Sequence, residues 1–115
     1  MTEAAFRALA LSLPGAKESP HFERASFRVG KKIFATLTAD GLEAMVRVAP
    51  QARLNALLKE HPRAFFSYGG WTLRLGALGV RLAKVDAALL CELLLDSWRR
   101  VASKRAQAAY ALAKR

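Results

Sequence analysis

From His21 to Leu37 the sequence HFERASFRVGKKIFATL carries Arg24, Arg28, Lys31 and Lys32 against a single acid, Glu23. Guanidinium and ammonium groups at this density suit phosphate recognition. Arginine offers a planar fork of donors to two oxygens, and lysine offers a mobile point charge. The bias extends to the whole chain of 115 residues, where 19 Lys+Arg face 9 Asp+Glu for a net charge of +10. The isoelectric point is near 10.7, and 12 of the cations are arginines. Such a balance favours polyanionic partners. It is also uneven: Arg99, Arg100, Lys104, Arg105, Lys114 and Arg115 follow Trp98 with no acid among them.

Other chemistries find little support. His21, His61 and Cys91 do not make a metal-ligand spacing. Ser26, Ser67, Ser97 and Ser103 have no base beside them, and no Gly-Lys-Ser/Thr follows the glycine pairs to make a phosphate loop. The expectation is a protein that is not an enzyme and has no cofactor. Cys91 sits among leucines and is expected to be buried. One cysteine, no signal-peptide pattern and no long apolar run fit a cytoplasmic protein.

The elements that must position these charges follow from periodicity. Phe6, Leu9 and Leu13 predict a helix over residues 3–12, stopped by Pro14-Gly15. Residues 24–29, 33–38 and 42–48 alternate as strands, with Asp40-Gly41 as a two-residue type I′ turn. Pro50 opens a helix striped by Leu54, Leu57 and Leu58 and ended by Pro62. Residues 71–75 and 78–85 predict two further strands. Asp86 caps a last helix that continues through AQAAYALA. The order α-β-β-β-α-β-β-α is that of an α+β domain, a single antiparallel β-sheet with helices packed on one face. Residues 1–105 form the domain, and 106–115 a basic, alanine-rich helical extension.

Turn lengths decide which way the charges point. Counting out from Asp40-Gly41 pairs Leu37 with Ala44, Ala35 with Val46 and Ile33 with Val48 on an apolar face. Thr38 with Glu43, Thr36 with Met45 and Phe34 with Arg47 fall on the other. In the preceding hairpin, a two-residue loop at Gly30-Lys31 turns Arg28 into the core, where an unpaired charge is costly. A three-residue loop, Gly30 to Lys32, pairs Phe27 with Ala35 and Arg28 with Phe34 and keeps the apolar residues inside. The expected outer face is therefore a row of Arg28, Phe34 and Arg47, joined by Arg24, Arg74 and Arg81, with Lys31 and Lys32 at the hairpin tip. Such a face suits a nucleic-acid backbone. The alternative is a solvated strand surface on which Arg28 and Arg47 cover Phe34 by cation–π stacking.

The motifs Leu13-Pro14-Gly15, Pro20-His21-Phe22, Ser26-Phe27-Arg28-Val29 and Lys32-Ile33-Phe34-Ala35, with a C-terminal VRLAKVDAALLCELLLDSWRRVASKR, resemble the MmcQ/YjbR family of small bacterial proteins. Glu23 stands where the family usually has glycine, and Ala25 where proline is common. The resemblance implies a frataxin-like (CyaY-like) fold and a DNA-binding role of double-wing type. Iron chemistry, the fold's other association, needs an acidic ridge, and the first helix has only Glu3; no metal is expected. The combined expectation is a DNA-binding protein, monomer or weak homodimer, with no membrane partner. It would contact phosphates through Arg24, Arg28, Lys31, Lys32, Phe34, Arg47, Arg74 and Arg81 and through Arg99, Arg100, Lys104 and Arg105 on the C-terminal helix. The alternative is a protein- or small-ligand-binding domain whose basic face is only solvated.

Overall fold

The computed structural model describes residues 1–114. Helix α1 (Glu3–Leu11) starts where the Thr2 hydroxyl accepts from the Ala5 N–H at 3.1 Å. It buries Phe6 and Ala10. Six strands form one antiparallel sheet. They are β1 (Ala16–His21), β2 (Arg24–Val29), β3 (Lys32–Leu37), β4 (Glu43–Arg47), β5 (Phe65–Ser67) and β6 (Ala77–Arg81), in the spatial order β1-β2-β3-β4-β6-β5. Helix α2 (Gln51–Glu60) precedes β5, the one-turn helix α3 (Gly70–Arg74) precedes β6, and α4 (Ala87–Arg99) and α5 (Lys104–Ala113) close the order. The α+β class with one antiparallel sheet agrees with the expectation from sequence. No helix among the described residues is long and apolar enough to cross a membrane.

One core lies between the sheet and α1, α2 and α4. Inward strand residues Phe27, Leu37, Val46, Leu78 and Val80 meet Phe6, Leu54, Leu90, Leu94 and Trp98 there. The Phe6 and Phe27 rings stand edge to face at 5.8 Å. Trp98 is fixed by its indole N–H donating to the Pro14 carbonyl at 3.0 Å, and Tyr110 of α5 packs on its ring at 5.6 Å.

Several elements differ from the periodicity, among them β5, which falls where no strand is expected. β1 is polar and holds Pro20, so it carries no alternating signal; it survives because an edge strand can spare a donor. Its Glu18, opposite Phe27, turns to the helix side and meets Arg7 of α1. Residues 71–75 alternate like a strand yet coil as α3, because Gly69 and Gly70, both at positive φ, turn the chain and the Thr72 hydroxyl caps the Gly69 carbonyl. α3 also turns Trp71, Thr72 and Leu75 to the outer side of the sheet, so the helices do not all serve one face. The long C-terminal helix is two: Ser103 accepts from the Ala106 N–H to begin α5, and the Gln107 side chain donates to the Arg99 and Ala102 carbonyls at the end of α4. This capping outweighs alanine's helix propensity. Arg115, the last residue of the expected extension, lies outside the described residues.

The β3–β4 loop is also longer than expected. Thr38 and Glu43 still pair, but Ala39–Leu42 form the turn and only Gly41 takes positive φ, so it is not type I′. Glycine suits this positive φ, and the Glu3 carboxylate packs against it.

The β2–β3 hairpin solves the arginine problem by a route that neither loop length allows. The loop has two residues, Gly30-Lys31, and Val29 pairs with Lys32 and Arg28 with Ile33. The register then shifts by one residue at Phe34, so Phe27 still pairs with Ala35, as expected. This bulge takes Phe34 out of the ladder and into the core, fully buried. The expected row of Arg28, Phe34 and Arg47 therefore does not exist; Ile33 stands beside Arg28. Where Phe34 and Arg47 would have bonded, the buried Ser97 hydroxyl of α4 intervenes. It donates to the Phe34 carbonyl and accepts from the Arg47 N–H at 3.0 Å.

Removing that hydroxyl leaves a buried acceptor and a buried donor without partners. Ser97→Ala should lose about 2 kcal/mol in urea denaturation; a change below about 0.5 kcal/mol would mean the bulge holds without it. The Asp40 carboxyl is held below its ordinary 3.8 by the Thr38 hydroxyl, then the Leu42 N–H. A carboxyl lowered in the folded state stabilises fully above its unfolded value and loses this as pH falls through the folded one. Asp40→Asn should therefore flatten the acid limb of the stability–pH curve below about pH 4 and leave its slope near neutral pH unchanged.

Candidate functional site

The outer face of the sheet is not flat. Strand residues Arg24, Ile33, Thr36, Met45 and Arg47 form the floor of a groove of about 740 Å³. The two-residue β1–β2 turn, Phe22-Glu23, walls one side, and Tyr68, with Trp71 and Thr72 of α3 and Leu75 just after it, walls the other. The lining is mainly apolar, with the two arginines set into it.

Three aromatics stand at the rim. Phe22 is 94% exposed, Trp71 70% and Tyr68 37%. Apolar groups gathered around one concavity mark a binding surface. Phe22 also sits at φ 57°, the sole positive-φ residue other than glycine among those described. The sequence itself dictates this: Pro20, His21 and Arg24 are committed to the β1–β2 pairing, which leaves Phe22 as the first residue of a tight turn. A bulky side chain pays about 1–2 kcal/mol for that conformation. The His21 ring meets Phe22 edge to face at 4.8 Å.

The outer-face arginines are held by neutral groups. Arg24 donates to the Thr36 hydroxyl and the Tyr68 hydroxyl, both at 3.2 Å, and lies over the Tyr68 ring at 5.2 Å. Arg28 donates to Ser26 Oγ at 2.9 Å and lies 3.3 Å from His21 Nδ1; Ser26 in turn donates to the Ser19 carbonyl. Arg81 spans the Phe66 ring at 4.7 Å and donates to the Pro62 and Arg63 carbonyls. The Phe66 ring packs against Gly79, where a Cβ would clash with it. Every ion pair in the described structure lies elsewhere: Arg7 with Glu3 and Glu18, Arg53 with Glu92 and Asp96, and Arg99 with Asp96. Arg24, Arg28, Arg47 and Arg81 thus have no carboxylate within 4.0 Å among the described residues. Two acids stand close to this face, Glu23 in the turn and Glu43 opposite Arg81.

The expected site residues therefore divide. Arg24, Arg28, Arg47 and Arg81 do share the outer face. Lys31 and Lys32 are exposed at the β2–β3 tip. Phe34 is in the core, and Arg74 is exposed on α3 rather than on a strand. Arg99, Arg100, Lys104 and Arg105 lie at the α4–α5 corner, in the helix layer, away from the groove. Cys91 is exposed, not buried, because it sits on the side of α4 turned away from the sheet. Phe22, Tyr68, Trp71 and Leu75 escaped the sequence reading. The signal for Tyr68 and Trp71 was FSYGGWT, aromatics flanking a glycine pair; Phe22 and Leu75 carried none.

A family model described as YjbR matches residues 11–100. The structure is similar to the crystal structure of Deinococcus radiodurans protein DR2400, described with domain DUF419. That similarity has a TM-score of 0.74 at 27% identity, covering 90% of this chain and 80% of the other. No curated protein matches the chain.

Phe22→Gly relieves the positive-φ cost but gives the unfolded chain more freedom. It should raise stability by up to about 1 kcal/mol in urea denaturation. A fall in stability would mean that the ring's contact with His21 outweighs the strain.

Proposed function

The chain belongs to the YjbR family, and within it we propose a non-enzymatic DNA-binding protein that meets its ligand with the outer face of the sheet. The observation that carries this reading is the set of four arginines on that face, none ion-paired among the described residues, against two acids, Glu23 and Glu43. Four cations outnumber two acids on this face, and none of the four is ion-paired with either. A chain with a net charge of +10 that keeps its ion pairs in the helix layer instead leaves this face available to an anion. Arg24 and Arg47 are the primary contacts, with Arg28, Arg81 and the Lys31-Lys32 tip around them. Arginine donates through five N–H groups, so those already bonded to hydroxyls and carbonyls keep donors for phosphate oxygens.

A second reading, a small-ligand site, is favoured by one feature: the groove's volume and apolar lining resemble those of small-molecule sites. Salt dependence separates the two. Each phosphate contact contributes about one counterion to the slope of log affinity against log salt. Arg24→Ala with Arg47→Ala should reduce that slope by about 2 for a short labelled DNA oligonucleotide. Replacing Arg99, Arg100, Lys104 and Arg105 by alanine should leave the slope nearly unchanged. The reverse pattern would move the interface to the α4–α5 corner, and no binding at low salt would leave the small-ligand reading.

A further inference from the structure

The groove offers more than a phosphate surface needs. Contacts to a duplex backbone call for cations and hydrogen-bond donors on an accessible ridge. Here Arg24 and Arg47 are recessed in a groove floored by Ile33 and Met45, with Trp71 and Phe22 exposed above them. A duplex keeps the flat faces of its bases stacked inside and presents phosphates and base edges to a protein. A strand with unpaired bases presents both a π face and a phosphate at each nucleotide. That combination matches aromatics interleaved with unneutralised arginines. Size agrees: a concavity of about 740 Å³ holds one or two nucleotides rather than a double helix.

We infer that the groove takes unpaired bases of single-stranded DNA, stacked on Trp71 and Phe22, with the flanking phosphates on Arg24 and Arg47. This inference rests on the DNA-binding reading above and narrows its ligand. Trp71 supplies the main stacking face. Its side chain is 70% exposed on a one-turn helix, so truncating it removes no core packing. Phe22 approaches from the opposite wall.

The test compares an oligothymidine strand with a duplex of equal length, for the wild type, Trp71→Ala and Trp71→Phe, across a salt series. The expected result is that the strand binds at least tenfold more tightly than the duplex. Trp71→Ala should weaken strand binding about 5- to 100-fold without changing the salt slope, while Trp71→Phe keeps most of the affinity. Fluorescence gives a second readout. Trp98 is wholly buried and Trp71 exposed, so quenching by the added strand should vanish in Trp71→Phe. Equal strand and duplex affinity, with Trp71→Ala neutral, would overturn the inference and leave the DNA-binding reading standing. Thymidine monophosphate competing as strongly as the strand would also overturn it, in favour of a small-ligand site. No binding of either DNA form at low salt would instead overturn the broader reading.

Discussion

A single serine hydroxyl on a helix takes the place of a strand-to-strand hydrogen bond. β2 must keep Arg28 out of the core while Phe27 goes in, and its loop to β3 has only two residues. The extra residue at Phe34 reconciles these demands, but a bulge leaves ladder groups unpaired. Ser97 satisfies both, accepting from Arg47 and donating to Phe34. Much follows from this. Phe34 becomes core, Ile33 becomes groove floor, Arg47 is fixed at the groove, and α4 is anchored to the two central strands it covers. A buried polar group that is fully bonded specifies one arrangement more sharply than apolar packing alone.

The same economy shapes the electrostatics. The paired acids lie on α1, β1 and α4, where Arg7 ties α1 to β1 and Arg53 ties α2 to α4. Half-exposed pairs of this kind contribute little to stability, but they consume negative charge. The sheet's outer arginines are left to hydroxyls, carbonyls and ring faces, which orient a guanidinium without cancelling it. Basic residues at the α4–α5 corner belong to a separate surface, and Arg99 there is already engaged with Asp96.

The three central strands and the long helices were legible because their apolar residues repeat at the period of the structure. Leu37 with Ala44, Ala35 with Val46 and Thr36 with Met45 all follow from counting across one turn. What was illegible has local causes. β1 owes its conformation to a neighbouring strand and not to its own composition. Trp71–Leu75 alternates by coincidence, and the glycines before it decide the outcome. Phe34 differs from expectation because the extra residue sits inside β3 and not at the Gly30 loop, and nothing in a strand's own pattern announces a bulge whose partner lies 63 residues away. The groove depends on that bulge and on α3 and so could not be drawn from alternation, though four of the arginines around it could.

The Ser97 bridge also bears on motion. An amide in a central strand ordinarily exchanges its proton only when neighbouring strands part. The Arg47 amide is protected by a side chain from the helix layer, so its exchange is governed by how often α4 lifts from the sheet. Slackening at the helix would thus reach the groove floor directly, through one hydroxyl, with the flanking strand pairing intact. Beside the shared core, the Ser97 hydroxyl links the helix layer to the backbone of the two central strands, and the Arg47 N–H is a gauge of that joint.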